Sequence, residues 1–159
     1  ELDPFEAAAV GDAERVRRLL DDDPDLLSAF SEDGFPLLGL AAFFGRIEVF
    51  DLLLERGVDP AIRARNPARV MPIHSAVAHR DAERSLQMVK RLLDAGVELE
   101  VEQAGGFRPL HQAAAAGRVE LVELLLAKGA DPEAESDAGQ TPLDLARERG
   151  HEEVIRRLG

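Results

Sequence analysis

Four segments of this chain can be laid over one another, and a chain built from such a repeat does not fold around a single central core. The segments run from Gly34-Phe35-Pro36-Leu37-Leu38 to Gly45, from Arg69-Val70-Met71-Pro72-Ile73-His74 to Arg80, from Gly106-Phe107-Arg108-Pro109-Leu110-His111 to Gly117, and from Gly139-Gln140-Thr141-Pro142-Leu143-Asp144 to Gly150. Each leads into a Leu-rich stretch. The step from Pro109 to Pro142 is 33 residues, and so is the step from Gly117 to Gly150. Self-similarity at a fixed period marks an array of supersecondary units, each burying its apolar faces against its neighbours.

Inside a unit the periodicity is helical. Pro109 suits the first turn of a helix, where its absent N–H is not needed. Leu110, Ala113 and Ala114 then recur at spacings of three and four on one face. Gly117 ends this short inner helix at a tight reversal that Cβ-bearing residues resist. Val119, Val122, Leu125 and Leu126 are expected to form the apolar stripe of a longer outer helix, which Gly129 closes. The small Ala113-Ala114 pair allows neighbouring helices to approach closely. Asp131-Pro132 through Asp137-Ala138-Gly139 has the turn chemistry of a projecting, hairpin-like loop.

The period, together with Arg108-Pro109-Leu110-His111-Gln112-Ala113-Ala114 and Thr141-Pro142-Leu143-Asp144-Leu145-Ala146, resembles the ankyrin repeat, a β-turn followed by two antiparallel helices with a T-P-L-H-x-A signature. The resemblance covers nearly the whole chain. It implies an all-α, ankyrin-type solenoid of helix-turn-helix repeats joined by hairpin-like loops. The expected organisation is one domain over 1–159: an N-terminal cap at 1–30, repeats at 31–65, 66–102 (carrying an insertion) and 103–135, and a C-terminal cap at 136–159. Residues Pro4 to Leu20 keep only the helical half of the pattern and present Arg15, Arg17 and Arg18 outward. Glu148, Arg149, Glu152, Glu153, Arg156 and Arg157 make the last helix pair polar outside. A terminal unit must leave one face wet, so both ends read as caps.

Departures from the family pattern are informative. The family's Thr caps the inner helix, and Thr141 with Asp144 fits a capping box. Pro36, Met71 and Arg108 stand in that place elsewhere, so three caps are expected to be missing, each worth about 0.5–2 kcal/mol. Two extra residues fall within Ala61–Pro67 and four around Asp81–Gln87. These read as drift in surface loops, which costs little, or as a modified partner surface at the middle of the array.

Charge and composition narrow the function. A formal charge of −12 with a pI near 4.7 opposes nucleic acid, where Lys and Arg must neutralise phosphates, and disfavours membrane surfaces. No apolar run approaches the ~18 residues of a membrane span. The first residues, Glu1-Leu2-Asp3-Pro4, are not a signal peptide, and a cytoplasmic location is expected, with a leader already removed ahead of Glu1 as the alternative. The chain has no cysteine, which removes disulfides, thiol catalysis and thiolate metal sites. Arg outnumbers Lys 17 to 2, and with abundant Ala, Leu and Glu this suggests a GC-rich, bacterial source.

The chemical motifs are negative. Phosphate-binding Gly loops and paired-His zinc motifs are absent. Asp21-Asp22-Asp23-Pro24-Asp25 lacks the Gly and Glu of a calcium loop and reads as the end of a helix. Ser75 and Ser85 have no adjacent oxyanion turn. No catalytic residue, metal site or cofactor is expected, and the chain is read as a non-enzyme. The resemblance makes His74 and His111 structural, hydrogen-bonding backbone between units.

What remains is surface. The resemblance implies that partners dock on the concave side, formed by loop tips and the exposed ends of the inner helices, and it places Phe35, Phe43, Phe44, Val70, His79 and Phe107 there. The chain has no Trp or Tyr, yet four of its seven Phe fall on this surface. A contiguous apolar patch marks an interaction site, and aromatic anchors dominate binding energy. The alternative is that Phe43 or Phe44 folds back beside Gly39. Arg63, Arg65 and Arg69, with Arg80 and Arg108, form a basic cluster, and guanidinium forks suit carboxylates. The expected function is a non-catalytic protein interaction or scaffolding module binding another protein or peptide with an acidic segment. Homo-oligomerisation through the Phe surface is the alternative. An engineered binder on the same scaffold is a third, against which irregular insertions and lost caps argue.

Overall fold

The computed structural model describes residues 1–159 and contains ten α-helices and no β-strand. The chain divides into two compact units, Glu1–Val97 and Glu98–Gly159. In the first, α1 (Pro4–Val10) pairs with α2 (Ala13–Asp22), α3 (Leu37–Phe43) with α4 (Ile47–Glu55), and α5 (Pro72–Ala78) with α6 (Ala82–Asp94). A 3₁₀ turn, Pro24–Ser28, follows α2, so the Asp21–Asp25 run ends a helix as expected. In the second unit α7 (Pro109–Ala115) pairs with α8 (Val119–Ala127), and α9 (Pro142–Arg149) with α10 (Glu152–Leu158). Within each unit every inner helix packs on its own outer helix and on the next inner helix. This is the all-α architecture of an ankyrin-type solenoid.

Small side chains set the helix spacing. Ala7 and Ala8, Ala41 and Ala42, Ala76 and Val77, and Ala113 and Ala114 occupy equivalent places on the inner helices and are all fully buried. The outer helices supply the bulk, through Val49, Phe50 and Leu53 on α4 and Met88, Val89 and Leu92 on α6. On α8 the buried set is Leu121, Val122 and Leu125, whereas Val119 and Leu126 are only half-buried. The expected stripe is corrected here: Val-Glu-Leu-Val-Glu-Leu-Leu-Leu-Ala is apolar on nearly every side, so periodicity does not single out one face, and the helices packed against it decide.

Capping follows the sequence at one end of the pattern and departs from it at another. Thr141 and Asp144 form the reciprocal box, with Asp144 N–H donating to Thr141 Oγ1 at 3.2 Å and Thr141 N–H to Asp144 Oδ2 at 2.9 Å. Pro36, Met71 and Arg108 give no side-chain cap. Histidine supplies the other half of the box in two of those helices. Met71 N–H donates to His74 Nδ1 at 3.0 Å, and Arg108 N–H to His111 Nδ1 at 3.1 Å. With Nδ1 accepting, Nε2 carries the proton, and in His111 it donates to the Gln140 carbonyl of the next loop at 2.9 Å.

The four-residue insertion is not a loop. Helix α6 has 13 residues where α4 and α8 have 9, so the insertion adds one turn to the start of the outer helix. Asp81 caps that turn by accepting the Arg84 N–H at 3.0 Å. Buried Ser85 ties it to α5 by donating to the Ala76 carbonyl at 2.7 Å. A turn of helix satisfies its own backbone groups, which an irregular insertion of that length would leave to water. The two-residue insertion does stay in a loop. Regular loops close from Ser31 N–H to Phe35 O (2.9 Å) and from Ser136 N–H to Gln140 O (2.9 Å), whereas the longer one closes from Ala64 N–H to Val70 O (2.9 Å).

Candidate functional site

The surface of the first unit carries one aromatic feature out of place on a solvated helix end. Phe43 is 60% and Phe44 41% exposed, at the end of α3, with ring centroids 5.0 Å apart and edge-to-face. They do not fold back beside Gly39, where the nearest atoms a Cβ would meet belong to Pro36. The equivalent positions, two residues and one residue before the reversal, hold Ala9 and Val10 at the end of α1 and Ala78 and His79 at the end of α5. A large pair beside a small Ala78 leaves a depression.

An open hollow of about 630 Å³ lies there. Phe43 and Phe44 line its aromatic side, and the end of α5 contributes Ser75, Ala78 and His79. Arg46 comes from the turn between α3 and α4, and Arg80, Asp81 and Arg84 come from the junction and extra turn that open α6. The inserted turn and the Phe pair therefore meet in one place. A second hollow of about 500 Å³ shares Arg46, Asp81 and Arg84 with the first and continues to Val10, Ile47 and Gln87.

The polar groups of this surface are held by backbone. Arg46 Nε donates to the Ala9 carbonyl at 2.8 Å, and Arg84 donates to the Gly45 carbonyl at 3.2 Å. In the second unit His151 Nε2 makes the same kind of bond to the Ala115 carbonyl at 2.9 Å. The residue after one reversal thus reaches back to the end of the preceding inner helix. Close approach makes glycine necessary at the reversal: Gly117 has φ 68°, and a Cβ on it would lie 2.5 Å from His151 Nδ1. Asp81 Oδ2 lies 3.7 Å from Arg84 Nε. The Arg84 backbone N–H, and then its guanidinium, hold the Asp81 carboxyl below the usual carboxylate range. Behind the site, Asp51 on α4 pairs with Arg91 on α6 at 2.7 Å, and burial outweighs that pairing to raise the Asp51 carboxyl above its ordinary value.

The residues expected from sequence separate into three groups. Phe43, Phe44 and His79 come together in the hollow. Phe35, Arg63, Arg65, Arg69 and Val70 lie in the loops before α3 and α5 and do not line it. Arg63 braces its own loop, donating to the Arg69 carbonyl at 2.7 Å and reaching Met71 Sδ at 3.3 Å. Arg65 stacks over Phe30 at 4.0 Å, and its N–H donates to the Gly34 carbonyl at 2.8 Å. Arg69 has φ 52°, where the aligned Gly34, Gly106 and Gly139 have φ 79°, 74° and 77°. A Cβ-bearing residue in that region costs about 1–2 kcal/mol. Phe107 lies in the second unit, half-buried and edge-to-face with His111 at 6.0 Å.

Sequence reasoning did not place Arg46, Ser75 or Arg84 at the site. The available signal was the insertion around Asp81–Gln87: read as a helical turn, it sets Arg84 one turn from Asp81. No cluster of three or more His, Asp or Glu side chains is placed to hold a metal ion. No helix is long and apolar enough to cross a membrane.

Comparison with known families matches residues 73–159 to a model of ankyrin repeats in three copies, and residues 33–65 to the single ankyrin repeat. No curated protein matches the chain.

Proposed function

Because the chain belongs to the ankyrin repeat family, we propose that it is a non-catalytic interaction or scaffolding module that seats a partner protein on Phe43 and Phe44. Ankyrin repeats are generally protein–protein interaction modules and are typically non-catalytic. The observation that carries the finer reading is the exposed edge-to-face Phe pair beside an open hollow. Exposed aromatic anchors next to a depression are what binding hot spots are made of. His79 belongs to the same surface, Phe35, Val70, Arg63, Arg65 and Arg69 offer a second contact along the loops of the first unit, and Phe107 is a separate candidate contact in the second. The strained backbone of Arg69 supports a role for that side chain, since glycine would serve the loop at lower cost.

A pull-down with mass-spectrometric identification tests this, comparing the native chain with a folded Phe43→Asp/Phe44→Asp variant. A protein retained by the first and lost by the second is the expected result. Equal retention would move the site to the Arg-rich loops. Concentration-dependent mass in light scattering, abolished by the same variant, would replace a foreign partner with a second copy of the chain.

A further inference from the structure

We infer that the hollow beside Phe43 and Phe44 takes an acidic peptide segment of the partner, with one apolar side chain entering against the rings and flanking carboxylates meeting Arg80 and Arg84. The inference rests on the reading of the Phe pair as the partner-binding surface and adds the chemistry of what binds there.

Charge complementarity argues for it. The chain carries −12 overall, yet three arginines and a single aspartate line this hollow. The aspartate is turned to local use, accepting the Arg84 N–H as the cap of α6. Arg84 gives one N–H to the Gly45 carbonyl and sets Nε toward Asp81. A guanidinium has five N–H donors in a planar fork, which leaves a pair for a carboxylate. Arg80 and Arg84 are both exposed; Arg84 enters on the inserted turn and Arg80 stands at the reversal before it, where the other repeats have Gly45 and Gly117, so two of the three arginines come from departures from the regular repeat.

The aromatic side fixes the rest of the chemistry. An acidic ligand without an apolar group would leave Phe43 and Phe44 in water, and an apolar ligand without carboxylates would bring nothing to the arginines. A nucleic acid carries its charge at every phosphate and would run beyond these three arginines onto the acidic remainder of the chain, whereas a short peptide confines its few carboxylates to the hollow. The continuation of the groove past Arg46 to Val10 and Ile47 provides length for an extended segment, and because Glu48 and Glu83 also line it, the carboxylates of that segment belong at the Arg80–Arg84 end.

The test is selection of a displayed random peptide library on the immobilised full chain, followed by fluorescence anisotropy with the enriched peptides against native protein, Phe43→Ala, Arg80→Glu and Arg84→Gln. Circular dichroism establishes that each variant is folded, and Arg80→Glu stands alone if loss of the Gly45 contact unfolds Arg84→Gln. The expected outcome is enrichment of sequences with an apolar residue flanked by Asp or Glu. Their affinity should fall about tenfold or more in Phe43→Ala and in Arg80→Glu, and weaken as salt rises. Peptides that depend on Phe43 but lack acidic residues and ignore Arg80→Glu would overturn the acidic assignment and leave the Phe surface standing. Peptides indifferent to Phe43→Ala, or no enrichment at all, would overturn both.

Discussion

His111 joins three functions in one buried ring. Its Nδ1 accepts the N–H that opens α7, its Nε2–H holds the next loop through Gln140, and the ring itself packs edge-to-face with Phe107. Protonation would place a donor where Nδ1 must accept. Burial, aided by the Arg108 charge and opposed by the Gln140 and Ala134 carbonyls, pushes the imidazole below the usual histidine value. Because the folded-state value is depressed, the unfolded chain binds more protons in the interval between the two values. The stabilisation is therefore complete above about pH 6.5 and is lost as pH falls from there through the folded value. Urea unfolding should show lower stability at about pH 5.5 than at about pH 7.5, and His111→Gln should cost about 2 kcal/mol at the higher pH while flattening the difference. An unchanged pH slope in the variant would assign the dependence to other groups.

At the scale of elements, the short inner helices survive with two different boxes. Thr141 caps α9 with its hydroxyl, and α5 and α7 use histidine at the third position with no side-chain cap at all. Thr141→Ala should destabilise the protein by about 1 kcal/mol. It should also move the Asp144 titration back up: the Thr141 N–H first, and then its hydroxyl, hold that carboxyl below its ordinary range, and the variant keeps only the N–H. NMR titration of the Asp144 carboxyl reads both the direction and the remaining shift. The missing caps were legible from Pro36, Met71 and Arg108, because capping is a local property of residue type. Histidine's part as the reciprocal acceptor was not, since it depends on the ring orientation that burial imposes. The insertion at α6 was visible as four extra residues, but whether they would loop out or add a turn depended on Asp81 as a cap and on Ser85 reaching the Ala76 carbonyl.

For the molecule as a whole, an array without a single core implies that the stability of each helix follows the packing it makes with its neighbours. Helix α10 buries only Val154 and has α8 and α9 as its packing partners, whereas α8 buries Leu121, Val122 and Leu125. Amide hydrogen exchange should therefore be faster in α10 than in α8, and uniform protection through the second unit would show a more cooperative structure than the packing describes. The sequence by itself determined the repeat, the helical class, the glycine reversals and the small residues between inner helices, because a fixed period and local backbone chemistry are written in residue order. It also singled out the phenylalanines as too apolar for their place. Only the tertiary structure decided that Phe43 and Phe44 stay exposed, that Arg63 and Arg65 are engaged within the loops, and that Arg46, Arg80 and Arg84 gather around the rings. Those outcomes depend on which neighbours a side chain meets across two repeats, and a pattern that specifies one repeat at a time does not contain them.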